Sequence, residues 1–165
     1  METDVFISHS SRDSEVANAL IDLLCDGCNI PRGKVRCTSV DGYRLPAGAN
    51  TNELLRLEVK EARFFIALIT QQSIRSAYVL FELGARWGSE LPFAPVLASG
   101  ANTNLLEGPL KGFNALDSSS EEQMYQLVHD VATVLGYSEN PPSIYNRRIK
   151  TVVELSRQSR KTENP

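Results

Sequence analysis

A single carboxylate, that of Glu82, lies within the hydrophobic run SAYVLFELGARWG at residues 76–88. A buried charge without a partner is costly, so an acid in such a run is exposed, paired or retained for chemistry. Pairing has a ready candidate, because Arg86 follows four residues later and a helix would bring the two side chains together. A surface ion pair of this kind contributes a few tenths of a kcal/mol. The spacing alone leaves both interpretations open and favours the ion pair.

Few other side chains have the type or spacing of a reactive centre. Of the two histidines, His9 directly follows an apolar run typical of a strand, whereas His129 falls in an amphipathic helical pattern and is expected on a helix surface. Cys25 and Cys28 form a C-x-x-C pair, but no second Cys or His pair lies nearby in sequence, so packing at a helix end is favoured over a metal or redox site. Dinucleotide, Walker, zinc-protease and α/β-hydrolase motifs are absent from the sequence, and we expect no metal.

The elements that must position these residues alternate along the chain. Apolar and β-forming runs predict five strands, the last weaker than the others: 4–8, 34–39, 63–70, 93–98 and 113–116. Amphipathic stripes predict four helices: 13–25, 50–61, 76–87 and 121–135. This alternation predicts an α/β fold, a parallel sheet with helices on both faces. Functional residues of such a sheet gather beyond the carboxyl ends of its strands, which here means the loops at 8–12, 39–49 and 70–76.

One of these loops, VDGYRLPAGAN at residues 40–50, combines turn-forming residues with Tyr43 and Arg44. It is long enough to act as a lid or a docking surface. An ordinary connection between a strand and a helix fits its composition equally well.

Length and charge restrict the class of protein further. The 165 residues, 42% of them hydrophobic, suit one domain, predicted at 1–138, followed at 139–165 by a basic helix, tail or linker. From Arg147 onward the chain has six Lys or Arg and two Glu, a net charge of +4. Since the whole chain carries −3, the rest of it carries −7, which disfavours nucleic-acid binding by the main domain. No run approaches the roughly 20 apolar residues of a membrane span, and the N-terminus lacks a signal-peptide pattern. Together with three cysteines in no regular framework, this predicts a cytoplasmic protein without membrane contact.

Three segments, taken in order, resemble the Toll/interleukin-1 receptor (TIR) domain, and its bacterial members in particular. They are DVFISHSSRD at 4–13, DGYRLPAG at 41–48 and FFIALITQQSIRSAYVLFELGARW at 64–87. The resemblance covers roughly residues 4–137 and implies a flavodoxin-like sheet of five parallel strands, in which residues 40–50 form the BB loop. The interaction residues that it implies in this loop are Asp41, Gly42, Tyr43, Leu45, Pro46 and Gly48.

The resemblance also implies an activity. Many bacterial members cleave NAD+ at the bond between nicotinamide and ribose, some forming cyclic ADP-ribose products, commonly in antiphage defence. In catalytic members a glutamate in the third helix carries the reaction, and Glu82 in its F-E-L-G context matches that residue. NAD+ is then the substrate, and no cofactor is expected. The further substrate contacts that the family implies are Phe6, Ser8, His9, Ser39, Arg44 and Tyr78.

The substrate contacts that the resemblance implies differ in how well they match the family pattern. Phe6 equally suits the core, and Tyr78 stands where related enzymes commonly have Trp, while Trp87 is expected in packing. The family further implies that self-association completes the active site, under the control of a fused or separate sensor.

Two other functions remain open. The first is a non-catalytic TIR module that signals by docking through its BB loop. The second is a deoxyribosyltransferase, which also uses a glutamate on an N-glycosidic bond but acts on free nucleosides; the FISHSSRD opening disfavours it.

Overall fold

The computed structural model describes residues 3–37 and 57–162. Within these ranges five parallel strands form one sheet in the spatial order β2-β1-β3-β4-β5. This is the order of the flavodoxin-like doubly wound fold, so the predicted fold class is confirmed. The strands are β1 (Val5–Ser8), β2 (Val35–Arg36), β3 (Phe64–Ile69), β4 (Phe93–Leu97) and β5 (Leu116–Asp117).

Helices cover both faces of this sheet. Buried residues of α1, α4 and α5 share one hydrophobic core, and those of α2 and α3 belong to a second core on the opposite face. The helices are α1 (Ser14–Cys28), α2 (described at 57–61), α3 (Ala77–Trp87), α4 (Glu121–Leu135) and α5 (Pro142–Thr162).

The central strands supply both cores because successive side chains on a strand point to opposite faces. Val5 and Ile7 of β1 enter the first core, whereas Phe6 enters the second. There the ring of Phe6 stacks on that of Phe65, with centroids 5.4 Å apart. All six residues of β3 are buried, which explains its unbroken apolar sequence FFIALI.

The first helix continues past its predicted end at residue 25 and terminates at Cys28. Asn29, with a left-handed φ of 57°, forms its C-cap. Gly27 therefore lies inside the helix, where a Cβ would come within 2.8 Å of Val128 on α4. This glycine permits close packing of two helices instead of ending one of them.

The two edge strands are shorter or displaced relative to their predictions. The second strand was predicted at 34–39, but Cys37 already lies outside β2. The fifth was predicted at 113–116, yet β5 begins at Leu116 and Phe113 instead packs edge-on against Phe93, with ring centroids 4.8 Å apart. The aromatic residue that suggested a strand at 113 therefore packs on a neighbouring strand from the segment that precedes β5.

The basic segment near the C-terminus forms α5, which packs on α1 and α4. Its buried positions include Tyr145, Ile149 and Val152, while Arg147 and Lys150 lie on the exposed side. Arg148 donates to Asp26 on α1 with a distance of 2.7 Å. The packed helix thus shares the first core; the division of the chain at residue 138 stays a prediction.

Candidate functional site

Glu82 lies in the second turn of α3, on the side that faces the end of β1. The helix begins after Ser76, whose hydroxyl oxygen accepts a hydrogen bond from the Val79 amide and so caps it. Only 5% of Glu82 is exposed, and the hydroxyl of Ser8, the last residue of β1, donates to its Oε2 atom. The sequence predicted both residues as site candidates, and the structure brings them into direct contact.

Burial dominates the protonation of this carboxyl. Loss of solvent raises the pKa of Glu82 from its ordinary 4.5 to about 7, while the hydrogen bond from Ser8 acts in the lowering direction. Tyr78, one turn earlier, has a raised pKa through its own partial burial and through the nearby Glu82 charge. Glu82 therefore titrates near neutral pH, the range in which an acid group is useful for catalysis.

The interpretation of Glu82 and Arg86 as a surface ion pair is wrong. Arg86 is fully buried, and its guanidinium donates to the carbonyl oxygens of Pro92, at 2.7 Å and 3.2 Å, and Val59, at 3.2 Å. Among the described residues, neither side chain contacts the other. Arg86 thus donates to backbone carbonyl oxygens of other segments, and not to Glu82, the partner that the i, i+4 spacing suggested.

His9 follows Ser8 and is also buried at this edge of the sheet. Burial lowers the pKa of His9 to about 4, against the opposing effect of a hydrogen bond to the Ile7 backbone. The Sγ atom of Cys37, just past β2, lies 3.7 Å from Nδ1 and 3.8 Å from Nε2 of this ring. His9 is consequently a neutral imidazole at physiological pH. His129, in contrast, lies exposed on α4 beside Glu139, as predicted.

The remaining predicted contacts divide into three groups. Phe6 is fully buried in its stack with Phe65, so its side chain is part of the core. Tyr78 is 47% exposed one turn before Glu82, where its ring is available for stacking, and Trp87 is 54% exposed instead of packed. The third group lies outside the described residues: Ser39, Asp41, Gly42, Tyr43, Arg44, Leu45, Pro46 and Gly48.

Sequence reasoning missed a buried polar cluster that joins two of the predicted site loops. Thr70, directly after β3, donates from Oγ1 to Oδ2 of Asp13 with a distance of 2.8 Å. The Thr70 amide donates to the hydroxyl of Ser73 at 2.8 Å, and the Ser73 amide donates back to Thr70 Oγ1 at 3.0 Å. The available signal was the position of Thr70 and Asp13 in loops that follow neighbouring strands.

The cysteine pair in α1 has the properties of packed residues. Burial raises the pKa of Cys25 to about 11 and that of Cys28 to about 12, which disfavours thiolate chemistry. In the part of the chain that the structure describes, no cluster of His, Cys, Asp or Glu is arranged to hold a metal. Within the same ranges, none of the helices combines the length and apolar character needed to cross a bilayer.

The described residues form a doubly wound parallel sheet with the buried carboxyl groups of Glu82 and Asp13 beyond the carboxyl ends of its strands, an arrangement typical of α/β domains that bind ligands at this edge. The family model described as "TIR domain" matches residues 5–128, which is most of the chain. The chain therefore belongs to the TIR domain family, as its three motifs predicted.

Two individual proteins are similar to parts of the chain. The uncharacterized protein YddK of Bacillus subtilis (strain 168) is 30% identical over 87 residues, which are 53% of this chain and 32% of YddK. A solved structure of a metazoan TIR-STING receptor from C. gigas in complex with 2′,3′-cGAMP has a TM-score of 0.59 at 17% identity and covers 84% of this chain. At that identity the likeness shows the fold alone. The chain spans 32% of the first protein and 42% of the second.

Proposed function

We propose that this TIR domain is an NAD+ nucleosidase that cleaves the bond between nicotinamide and ribose. The products are nicotinamide and either ADP-ribose or a cyclic isomer of it. The proposed biological role is defence, such as the antiphage function of related bacterial proteins. The observation that carries the proposal is the contact of Glu82 with Ser8. The buried carboxylate accepts from a neutral hydroxyl, and Arg86 binds elsewhere. Among residues 3–37 and 57–162 no cationic side chain pairs with Glu82, and a carboxylate in that state is available to stabilise positive charge in a transition state.

The proposed reaction places few demands on other groups. The bond between ribose C1′ and the nicotinamide nitrogen breaks, and its electron pair leaves with nicotinamide, which departs as a neutral molecule. Glu82 stabilises the oxocarbenium-like ribose that remains and holds the ribose hydroxyls. Water then adds to C1′ and releases a proton to give ADP-ribose, whereas a nucleophile within the same molecule gives a cyclic product. No general acid is required.

Ionisation of Glu82 supports the same assignment. The pKa of about 7 leaves the free carboxyl close to half ionised at neutral pH. The cationic nicotinamide ring of bound NAD+ favours the charged form, so substrate binding promotes the carboxylate that the reaction needs. His9, neutral because burial lowers its pKa to about 4, adds no opposing positive charge.

Self-association is part of the proposal because α3 exposes an apolar face. Leu80, Phe81 and Trp87 are all exposed, and Leu91 just beyond the helix is exposed as well. Several large exposed apolar residues on one helix favour a contact site there. The same face supports the alternative function, a docking module without catalysis, in which a fused or separate partner covers it.

The deciding experiment is the release of nicotinamide from NAD+ by purified protein over a range of concentrations, with and without a crowding agent. We expect the rate per molecule to rise with concentration and to be lost in Glu82→Gln. Glu122→Gln, at an exposed position of the first turn of α4, is the matched control and should retain the rate. Folded wild-type protein that associates but releases no nicotinamide would favour the docking module. Equal rates in wild type and Glu82→Gln would remove Glu82 from the mechanism.

A further inference from the structure

The reaction centre is assembled from two loops that leave neighbouring strands. One continues from Ser8 through a short helical turn at Ser11–Asp13 into α1. The other continues from β3 through Thr70 and a turn at Ser73–Arg75 into α3, which carries Glu82. Because Ser8 pairs with Ala67 in the parallel register, both loops begin at the same edge of the sheet.

Two side-chain hydrogen bonds join these loops. The first is the contact of Ser8 with Glu82, and the second runs from Thr70 to Asp13 across 57 positions of sequence. Asp13 is 7% exposed, Thr70 1% and Ser73 0%. The Thr70 hydroxyl donates to a carboxyl group that is itself buried, and the reciprocal bonds of Thr70 with Ser73 fix the position of that hydroxyl.

The two bonds differ in what substrate does to them. On the proposed mechanism Glu82 must turn its acceptor oxygens toward ribose hydroxyls, which compete with Ser8. The bond between Thr70 and Asp13 involves neither Ser8 nor Glu82, so competition for Glu82 does not break it directly. A displacement of about 1 Å at a reacting group can cost about 10²-fold in rate, so a link that persists through substrate binding has catalytic value.

We propose that Asp13 and Thr70 are positioning residues, whose hydrogen bond holds α3 against the loop after β1 and thereby keeps Glu82 in place when substrate displaces Ser8. This inference rests on the proposed function for its rate effect. Its structural part, the alignment of Glu82 with Ser8, is independent of any activity.

The test compares two hydroxyl deletions of the same chemistry. Thr70→Val removes the donor to Asp13. Tyr137→Phe removes a hydroxyl that donates to Oδ2 of the buried Asp4 at 2.6 Å, next to the opposite, amino-terminal end of β1. Thr70→Ser keeps a hydroxyl and is the conservative rescue. The kcat and KM for NAD+ cleavage are measured for each variant at a temperature at which all are folded.

We expect Thr70→Val to lower kcat about tenfold or more with KM changed by less than about threefold, Tyr137→Phe to leave kcat within about twofold, and Thr70→Ser to restore it. Equal kcat values in Thr70→Val and Tyr137→Phe would overturn the positioning role, as would failure of Thr70→Ser to restore the rate. Should Thr70→Val not fold, Asp13→Ala, which removes the acceptor of the same hydrogen bond, is measured in its place.

A second readout separates this inference from the proposed function. The ¹³C resonance of the Glu82 carboxyl carbon is recorded at one pH in wild type, Thr70→Val and Tyr137→Phe. A displaced resonance in Thr70→Val alone is expected, and an unchanged one would overturn the inference. Wild-type protein that releases no nicotinamide would defeat the proposed function, yet this measurement would still decide whether Thr70 aligns Glu82.

Discussion

Glu82 and Arg86 lie one helical turn apart on α3, both are buried, and each binds a partner on a different element. Ser8 donates to the carboxylate, whereas the guanidinium donates to the carbonyl oxygens of Val59 and Pro92. Arg86 therefore holds α3 to the segments around it, and its charge is directed away from Glu82. The helix separates a structural cation from a carboxylate that remains available for chemistry.

The pH dependence of NAD+ cleavage should follow Glu82. Since burial raises its pKa to about 7 and the reaction needs the carboxylate, kcat/KM is expected to rise with pH through about 7. The midpoint in kcat should lie lower, because bound cationic nicotinamide favours the charged form. Initial rates between about pH 5 and 9 measure both profiles. A kcat/KM that is flat over this range would contradict the assignment.

Ser8→Ala should move the acid limb of that profile to higher pH. The hydrogen bond from Ser8 lowers the pKa of Glu82, so its removal leaves the carboxyl protonated over a wider range. Activity at neutral pH then falls and partly recovers in alkaline buffer. Ser118→Ala is the control, since it deletes another fully buried hydroxyl, which donates to the Leu97 carbonyl at 2.7 Å. An unmoved limb in Ser8→Ala would show that the hydroxyl does not tune Glu82.

Glu82→Gln should stabilise the fold in alkaline solution. The folded pKa of about 7 exceeds the ordinary 4.5, so between these values the folded protein holds a proton that the unfolded chain has released. Stability of the wild type therefore falls as pH rises through this window, and the loss is complete above it. At 1.4 kcal/mol per pKa unit, the free energy of unfolding of Glu82→Gln is expected to exceed that of wild type by up to about 3 kcal/mol at about pH 8. Urea unfolding at several pH values measures the free energy of unfolding of both proteins. If this free energy depended on pH in the same way in wild type and Glu82→Gln, the prediction would be refuted.

Arg86→Met should destabilise the protein without relieving any constraint on Glu82. Loss of the guanidinium removes the side-chain donor to the Val59 carbonyl oxygen, and a buried group left unpaired costs about 1–3 kcal/mol. The Pro92 carbonyl oxygen loses its bonds from Arg86 but keeps the one from the Phe65 amide at 3.1 Å. The guanidinium also lies 5.8 Å above the centre of the Phe65 ring, a contact that Met cannot reproduce. We expect a total loss of about 2–5 kcal/mol by urea unfolding. In a double-mutant cycle with Glu82→Gln, the two changes in unfolding free energy should add within about 0.5 kcal/mol. A larger coupling energy would support the interpretation of Glu82 and Arg86 as an ion pair.

Phe81→Ser should weaken self-association and leave the fold intact. Phe81 is 66% exposed on the apolar face of α3, so its removal takes contact surface from an assembly and little from the core. Sedimentation at several concentrations measures the effect, together with the concentration dependence of nicotinamide release. Val134→Ser, at a 47% exposed apolar position of α4, is the control and should associate like wild type. Equal association of all three proteins would exclude the α3 face as the contact.

Strong local patterns made the centre of the fold predictable. The run FFIALI is buried along its whole length as β3, and α4 has the predicted bounds with Ser120 as its cap. The edge strands were predicted less well, because two ladder residues leave almost no periodicity to detect. In α1, packing against Val128 requires the glycine at position 27 that otherwise suggests a helix end.

The site was predictable in its residues but not in its contacts. The parallel topology implied that Ser8 and the segment leading to Glu82 meet at one edge, and they do. The bond between Asp13 and Thr70 was not predicted, because each residue alone looks like an ordinary capping or turn residue and only their positions after neighbouring strands link them. The partners of Arg86 are carbonyl oxygens, which carry no side-chain signature in any sequence.

The short outer strands have a consequence for assembly. In the ranges that the structure describes, the outer strands β2 and β5 each have two residues in strand conformation. Unpaired backbone groups at a long, flat border would recruit strands from other molecules and lead to fibrils. Here the border gives such growth little template, so copies that meet at high local concentration are directed to side-chain surfaces. Contacts between side-chain surfaces, unlike edge-to-edge strand pairing, do not propagate into fibrils.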